Sequence, residues 1–134
     1  MKGKKLKLEL SGRLPTLNYY MRLHWGQKTR IRNDWAWLIQ QSLMKQNWQV
    51  GELVGNKVRV SAVIYLNSAK KMHKDINNLR TVIDKVIIDQ LVCKRAGYGI
   101  IPDDSDKHLV WGKIEQKIDK SIAEIVVVTL TRIP

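Results

Sequence analysis

The sequence predicts an α+β domain: a mixed sheet of about four strands with two helices on one face. Three observations predict it. Four short segments alternate polar with apolar residues or run rich in β-branched ones. Two longer stretches carry apolar residues at helical spacing. The order along the chain is strand, helix, strand, helix, strand, strand. A chain of 134 residues is the usual size of one domain, so residues 1–134 are read as a single unit.

Lys5 to Leu10 alternates lysine with leucine, the pattern of a half-buried strand. Ser11 to Pro15 reads as a turn, and Leu17 to Trp25 is aromatic and basic without clear periodicity. From about Lys28 to Gln46, Ile31, Trp35, Leu38, Ile39 and Leu43 fall on one helical face, and Gly51 and Gly55 close that region. Lys57 to Leu66 is rich in Val, Ile and Tyr and reads as a strand. A basic loop, Asn67 to Lys74, leads to a second helix. Asn77 or Asn78 caps it, and its apolar face runs through Leu79, Val82, Ile83, Val86, Ile87 and Leu91 to about Val92. Lys94 to Asp106, with Gly97, Gly99 and Pro102, is a loop. Two strands near His108 to Ile118 and Ala123 to Thr131 close the chain, with Asp119 to Ser121 as the hairpin turn between them.

Several function classes drop out. No apolar run approaches the ~20 residues needed to cross a bilayer, and Met1 to Leu10 lacks the apolar stretch of a secretory signal. A soluble, cytoplasmic protein without a membrane partner is expected. Cys93 is the single cysteine, so an internal disulfide is excluded, and no Cys/His spacing suggests zinc. The net charge of +12 suits a polyanionic partner, with nucleic acid first among them.

Six of the twelve acidic residues lie between positions 75 and 106: Asp75, Asp84, Asp89, Asp103, Asp104 and Asp106. Such a concentration in a basic chain suits a hard divalent cation, which takes one or two carboxylates plus water and substrate phosphate. Asp75 stands just before a helix, and Asp103 and Asp104 stand in a Gly/Pro loop just before a strand, the element ends where sites are usually built. Lys70, Lys71, His73 and Lys74 lead directly into Asp75, placing phosphate-binding groups beside metal-binding ones. A bland reading stands beside each of these. Asp75 favours the helix dipole simply by starting the helix. Asp103-Asp104-Ser105 suits a solvated turn. Asp84 after Arg80, and Asp89 after Lys85, suit exposed ion pairs at helical spacing, worth under ~1 kcal/mol.

Asp75-Ile76-Asn77-Asn78-Leu79, then Asp84 and Asp89, then Gly99-Ile100-Ile101-Pro102-Asp103-Asp104-Ser105, resembles the RusA family of Holliday junction resolvases. The opening Leu14-Pro15-Thr16-Leu17-Asn18-Tyr19-Tyr20-Met21-Arg22 is similar to that family's opening, a proline followed by asparagine and then basic residues. The motifs fall in the family's order and span most of the chain. The resemblance implies a small homodimeric endodeoxyribonuclease that cuts four-way DNA junctions by paired nicks with Mg2+ or Mn2+. It implies Asp75 and Asp104 as metal ligands and catalytic groups, with Asp103 beside them. The family's Asp-x-Asp-Asn-Leu motif has a second aspartate, which is Asn77 here, and its following lysine is Thr81 here. An asparagine offers a carbonyl oxygen and no charge. Asp84 or Asp89 is then expected to restore the acid, and Arg80 or Lys85 the cation.

Arg22, Lys28, Arg30 and Arg32 form a basic stretch near Tyr19 and Trp25. With Asn18 it is expected to grip DNA phosphates while the rings pack on backbone or bases; the competing reading is a solvated helix face. Trp35, Trp37 and Trp48 are read as core. His24 and His108 are read as surface residues. Two alternatives to a nuclease remain: a junction-binding protein that has lost catalysis, favoured by Asn77 and Thr81, and a basic nucleic-acid-binding module with structural aspartates.

Overall fold

Leu6, Leu8 and Leu10 are completely buried while Lys5, Lys7, Glu9 and Ser11 between them are exposed, so strand β1 (Lys5–Ser11) has one core face and one outer face. The computed structural model describes residues 5–46, 57–67, 76–91 and 109–133. Strand β2 (Lys57–Leu66) buries Val58, Val60, Ala62, Ile64 and Leu66, and β4 (Ile125–Ile133) buries Val126, Val128 and Leu130. With β3 (Leu109–Ile118) they form one mixed sheet in the order β1-β4-β2-β3. Strand β4 runs antiparallel to both neighbours, and β3 runs parallel to β2. The expected α+β architecture with a four-stranded mixed sheet is present.

Helical segments cover the leucine face. Helix α1 (Leu17–Arg22) contributes buried Tyr20, and α2 (Trp25–Lys45) contributes Trp35 and Ile39. Helix α3 (Ile76–Ile83) continues into a π-helical segment (Asp84–Ile88) and a last short helix, α4 (Asp89–Leu91). Strands and helices share a single apolar cluster. No helix among the described residues is long and apolar enough to cross a membrane.

Five expectations need correction. Trp37, read as core, is 58% exposed on α2, and Trp48 lies outside the described residues. Leu17 to Arg22 is helical despite its poor periodicity, because Thr16 caps it, its side chain accepting from the Tyr19 N–H at 3.2 Å. Helix α2 begins at Trp25, a turn earlier than expected. Asn77 and Asn78 stand inside α3, and the Asn77 carbonyl accepts from the Thr81 hydroxyl at 2.9 Å. Finally, β3 and β4 do not form a hairpin. Strand β2 lies between them, so Asp119 to Glu124 must cross the end of β2, a span of two strand spacings, about 10 Å. The π segment also widens the buried stripe. Its Asp89 N–H bonds the Asp84 carbonyl five residues back, and Val86, Ile87 and Ile88 are buried in succession.

Polar contacts hold this topology. At the crossing, the Asp119 N–H donates to the Leu66 carbonyl at 2.9 Å, and the Asn67 side-chain amide donates to the Ile122 carbonyl at 3.0 Å. Glu124 accepts two hydrogen bonds from the Arg13 guanidinium and one from the Asn67 N–H at 3.3 Å. Helix α2 covers the free edge of β1: Ser42 Oγ accepts from the Glu9 N–H at 3.3 Å, and the Gln46 amide donates to the Lys7 carbonyl at 2.7 Å. On the outer face, Arg59 lies across Gly112 so closely that an added Cβ would stand 2.6 Å from Ser61 Oγ and 3.0 Å from Arg59 Cγ. Gly112 sits where the β2–β3 register shifts.

The Arg13 hydrogen bonds hold the Glu124 carboxyl below its ordinary range, with the Asn67 N–H adding to the effect. A carboxyl depressed in the folded state contributes stability that is full above the ordinary glutamate range and is lost as pH falls through the lowered value. Glu124→Gln should therefore cost about 1–2 kcal/mol at neutral pH, measured by urea unfolding. It should also lose less stability than wild type on acidification from about pH 6 to about pH 3; equal acid sensitivity would remove Glu124 as the hub.

Candidate nucleic-acid interface

Buried Tyr20 ties α1 to the core, and Leu23, in extended conformation, ends the helix as its N–H bonds the Tyr20 carbonyl at 3.2 Å. The chain turns and α2 starts two residues later. This corner exposes Asn18, Tyr19, Met21, Arg22, His24 and Trp25, with Trp25 82% exposed. Arg30 is exposed one turn further along α2. Exposed cations interleaved with exposed rings match what a phosphate backbone and its bases require.

Not every basic residue of the stretch is free for a ligand. Lys28 is half-buried with its Nζ 5.6 Å from the centre of the Tyr20 ring, a cation–π arrangement. Arg32 Nη2 stands 4.0 Å from a carboxylate oxygen of Asp89, and the Arg32 carbonyl accepts from the Gln90 side chain at 3.2 Å. Arg32 thus links α2 to α4, and its Nε is buried with no hydrogen-bond partner among the described residues. Burial raises the Tyr20 hydroxyl above its ordinary range; Arg32 opposes that rise and Asp89 adds to it.

A second group forms around α3, which touches both α1 and β3. Arg80 Nη2 donates to the Asn77 side-chain oxygen at 3.1 Å, and its guanidinium lies 6.0 Å from the Trp111 ring centre. Both Asn77 and Arg80 are exposed. Asp84 and Lys85, half-buried, open the π segment. Asp89 pairs with Arg32 of α2 rather than with Lys85. Asp89 is also about 18 Å of helix rise from Asn77, farther than one ion with ligands at about 2.1 Å can span.

Asp75, Asp103, Asp104, Lys70, Lys71, His73 and Lys74 lie outside the described residues. Among the described residues, no three His, Cys, Asp or Glu side chains are grouped so as to hold a metal ion. The structure brings together Asn77 with Arg80, and it exposes Asn18 and Arg22 on α1 and Arg30 on α2. It adds Trp111 and Arg13, which sequence patterns did not single out, and gives Tyr20 of the opening motif a buried place against Lys28. Of the first two, Trp111 alone carried a signal, as a tryptophan near the start of an expected strand.

No protein-family model matches the chain, and no curated protein matches it.

Arg22→Ala and Arg30→Ala should each weaken binding to labelled DNA. Each should also reduce the slope of log affinity against log salt by about 0.9 for every phosphate no longer neutralised. Both should leave thermal unfolding unchanged, whereas Arg32→Ala should lower Tm. An unchanged salt slope in both surface variants would remove the α1–α2 corner as a phosphate-binding surface.

Proposed function

We propose that this chain is a metal-dependent endodeoxyribonuclease of the RusA type that resolves four-way DNA junctions by paired nicks. The supporting observation is the first turn of α3. Directly after Asp75 the motif becomes helical, and Asn77 and Arg80 meet at 3.1 Å on an exposed surface next to Trp111. This supports reading Arg80 as the cation that a phosphodiester lying against the motif would meet.

In this reading Asp75 and Asp104, with Asp103 beside them, hold Mg2+ or Mn2+, which supplies an activated water and stabilises the leaving oxygen. Arg80, aimed by Asn77 and flanked by Trp111, offsets charge on the phosphate as it builds in the transition state. Lys74 and Lys85 serve the same charge. Arg22 and Arg30 hold the flanking backbone, while Lys28 stays on the Tyr20 ring; Lys70, Lys71 and His73 adjoin the acidic motif in the sequence. A homodimer places two such sites about a two-fold axis, as symmetric nicking requires.

One observation favours a second reading. Position 77 supplies no carboxylate charge, and the Asn77 side-chain oxygen accepts from Arg80. On this second reading the chain binds junctions without cutting them.

Cleavage of a labelled four-way junction, with duplex as control, in Mg2+ or Mn2+ and in EDTA, decides between them. Metal-dependent paired nicks, lost in Asp75→Asn and Asp104→Asn, are expected for the nuclease. Tight junction binding without nicks, with Asn77→Asp raising nicking about tenfold or more, identifies the degenerate form. Salt-sensitive binding with no preference for branched DNA would reduce the chain to a basic nucleic-acid-binding module.

A further inference from the structure

We propose that the cavity between the β1–α1 connection and α2 receives one unstacked guanine base. This inference rests on the nucleic-acid reading above and goes beyond it, since it assigns base recognition to a site away from the acidic motif. The cavity measures ≈ 500 Å³ and is lined by Arg13, Pro15, Tyr19, Ile31, Asp34 and Trp35, among others. That volume lies within the range of small-molecule sites and accommodates a purine.

Its walls suit a flat aromatic ligand. Trp35, 5% exposed, packs against Gly12, where an added Cβ would stand 3.6 Å from its ring. The Trp35 wall is therefore pinned. Tyr19 sits in the capped first turn of α1, yet its side chain remains 58% exposed. An exposed ring beside an apolar wall is a stacking platform, worth binding free energy for any base.

Asp34 makes the site selective. It is exposed on α2 one turn beyond Arg30, and the other charged residue lining the cavity is Arg13, which Glu124 holds. No described residue donates a hydrogen bond to its carboxylate. On a surface that attracts phosphates, a carboxylate without a donor opposes binding unless the ligand supplies donors of its own. Guanine presents N1–H and N2–H side by side, matching the two carboxylate oxygens. Adenine and cytosine place a ring acceptor next to their amino group, and thymine flanks its N3–H with two carbonyls, so the same carboxylate repels them. Arg13 gives only Nε and Nη2 to Glu124; its remaining donors are open to the phosphate of the same nucleotide.

The test uses fluorescence anisotropy with thymidine oligomers of equal length whose central base is guanine, hypoxanthine or thymine. Hypoxanthine lacks only the N2 amino group. Wild type should bind the guanine oligomer about fivefold or more tightly than the other two. Asp34→Ala should abolish that preference by weakening the guanine complex while leaving or slightly strengthening the thymine complex. Tyr19→Ala should weaken all three. Equal affinity of wild type for the three oligomers overturns the site, as does an equal gain for all three in Asp34→Ala, which would mark the carboxylate as merely repulsive. If no oligomer and no four-way junction binds even at low salt, the nucleic-acid reading fails and the guanine site falls with it.

Discussion

Strand β4 enters the sheet between β1 and β2, and the chain can place it there only by crossing the end of β2 after finishing β3. The order of the sheet depends on that crossing. It sets β4 antiparallel to β2, and the finished sheet has β3 on one edge, parallel to β2, and β1 on the other, antiparallel to β4. The crossing segment has to satisfy its backbone groups away from any ladder, and Asn67 and Glu124 do most of this. Asn67 ties it to β2, while Glu124 joins Asn67 to Arg13 and accepts the Gly12 N–H at its own carbonyl, 3.1 Å away. One carboxylate thereby links the ends of β1 and β2 with the start of β4.

The helices then divide the remaining labour. Helix α2 blankets the outer edge of β1 through Ser42 and Gln46, which protects a strand that would otherwise template pairing with another chain. Helix α3 and its π continuation fill the core with Leu79 through Leu91 and bring Asp89 and Gln90 up to Arg32. Arg32 and Lys28 are consumed in holding the helical layer together, although they belong to the same basic run as Arg22 and Arg30. Position on the helix, rather than charge, separates a binding residue from a structural one. The same distinction applies to the acids: Asp89 and Glu124 stabilise contacts between elements, while Asp34 stands exposed at the cavity.

Much of the fold was legible in the chain. Strict alternation in Lys5 to Ser11 and helical spacing in Leu79 to Leu91 each bury one face, and burying a face leaves little choice of element. The α1 helix was not legible, because six residues are too few to show a period and its stability comes from Thr16 and the buried Tyr20. Burial of Ile88 escaped too, since it depends on a π turn that breaks the 3.6-residue repeat. Of the candidate site, the cationic corner followed from composition and local order. The Asn77–Arg80 pairing was a matter of two residues three apart on a helix, which spacing allows but does not require.

By itself, then, the sequence determined the α+β class, the count of strands, the inward faces of β1, α2 and α3, and the large positive charge, because each depends on local periodicity or on composition alone. Tertiary structure decided the strand order, the crossing over β2, the partnering of Arg32 with Asp89 and of Arg80 with Trp111, and the joining of Tyr19, Asp34 and Trp35 around one cavity. These depend on which segments come to lie side by side. A two-residue period reports which face of a strand is buried but carries no information about which neighbour that strand will find, and only the packed sheet and its helical layer make that choice.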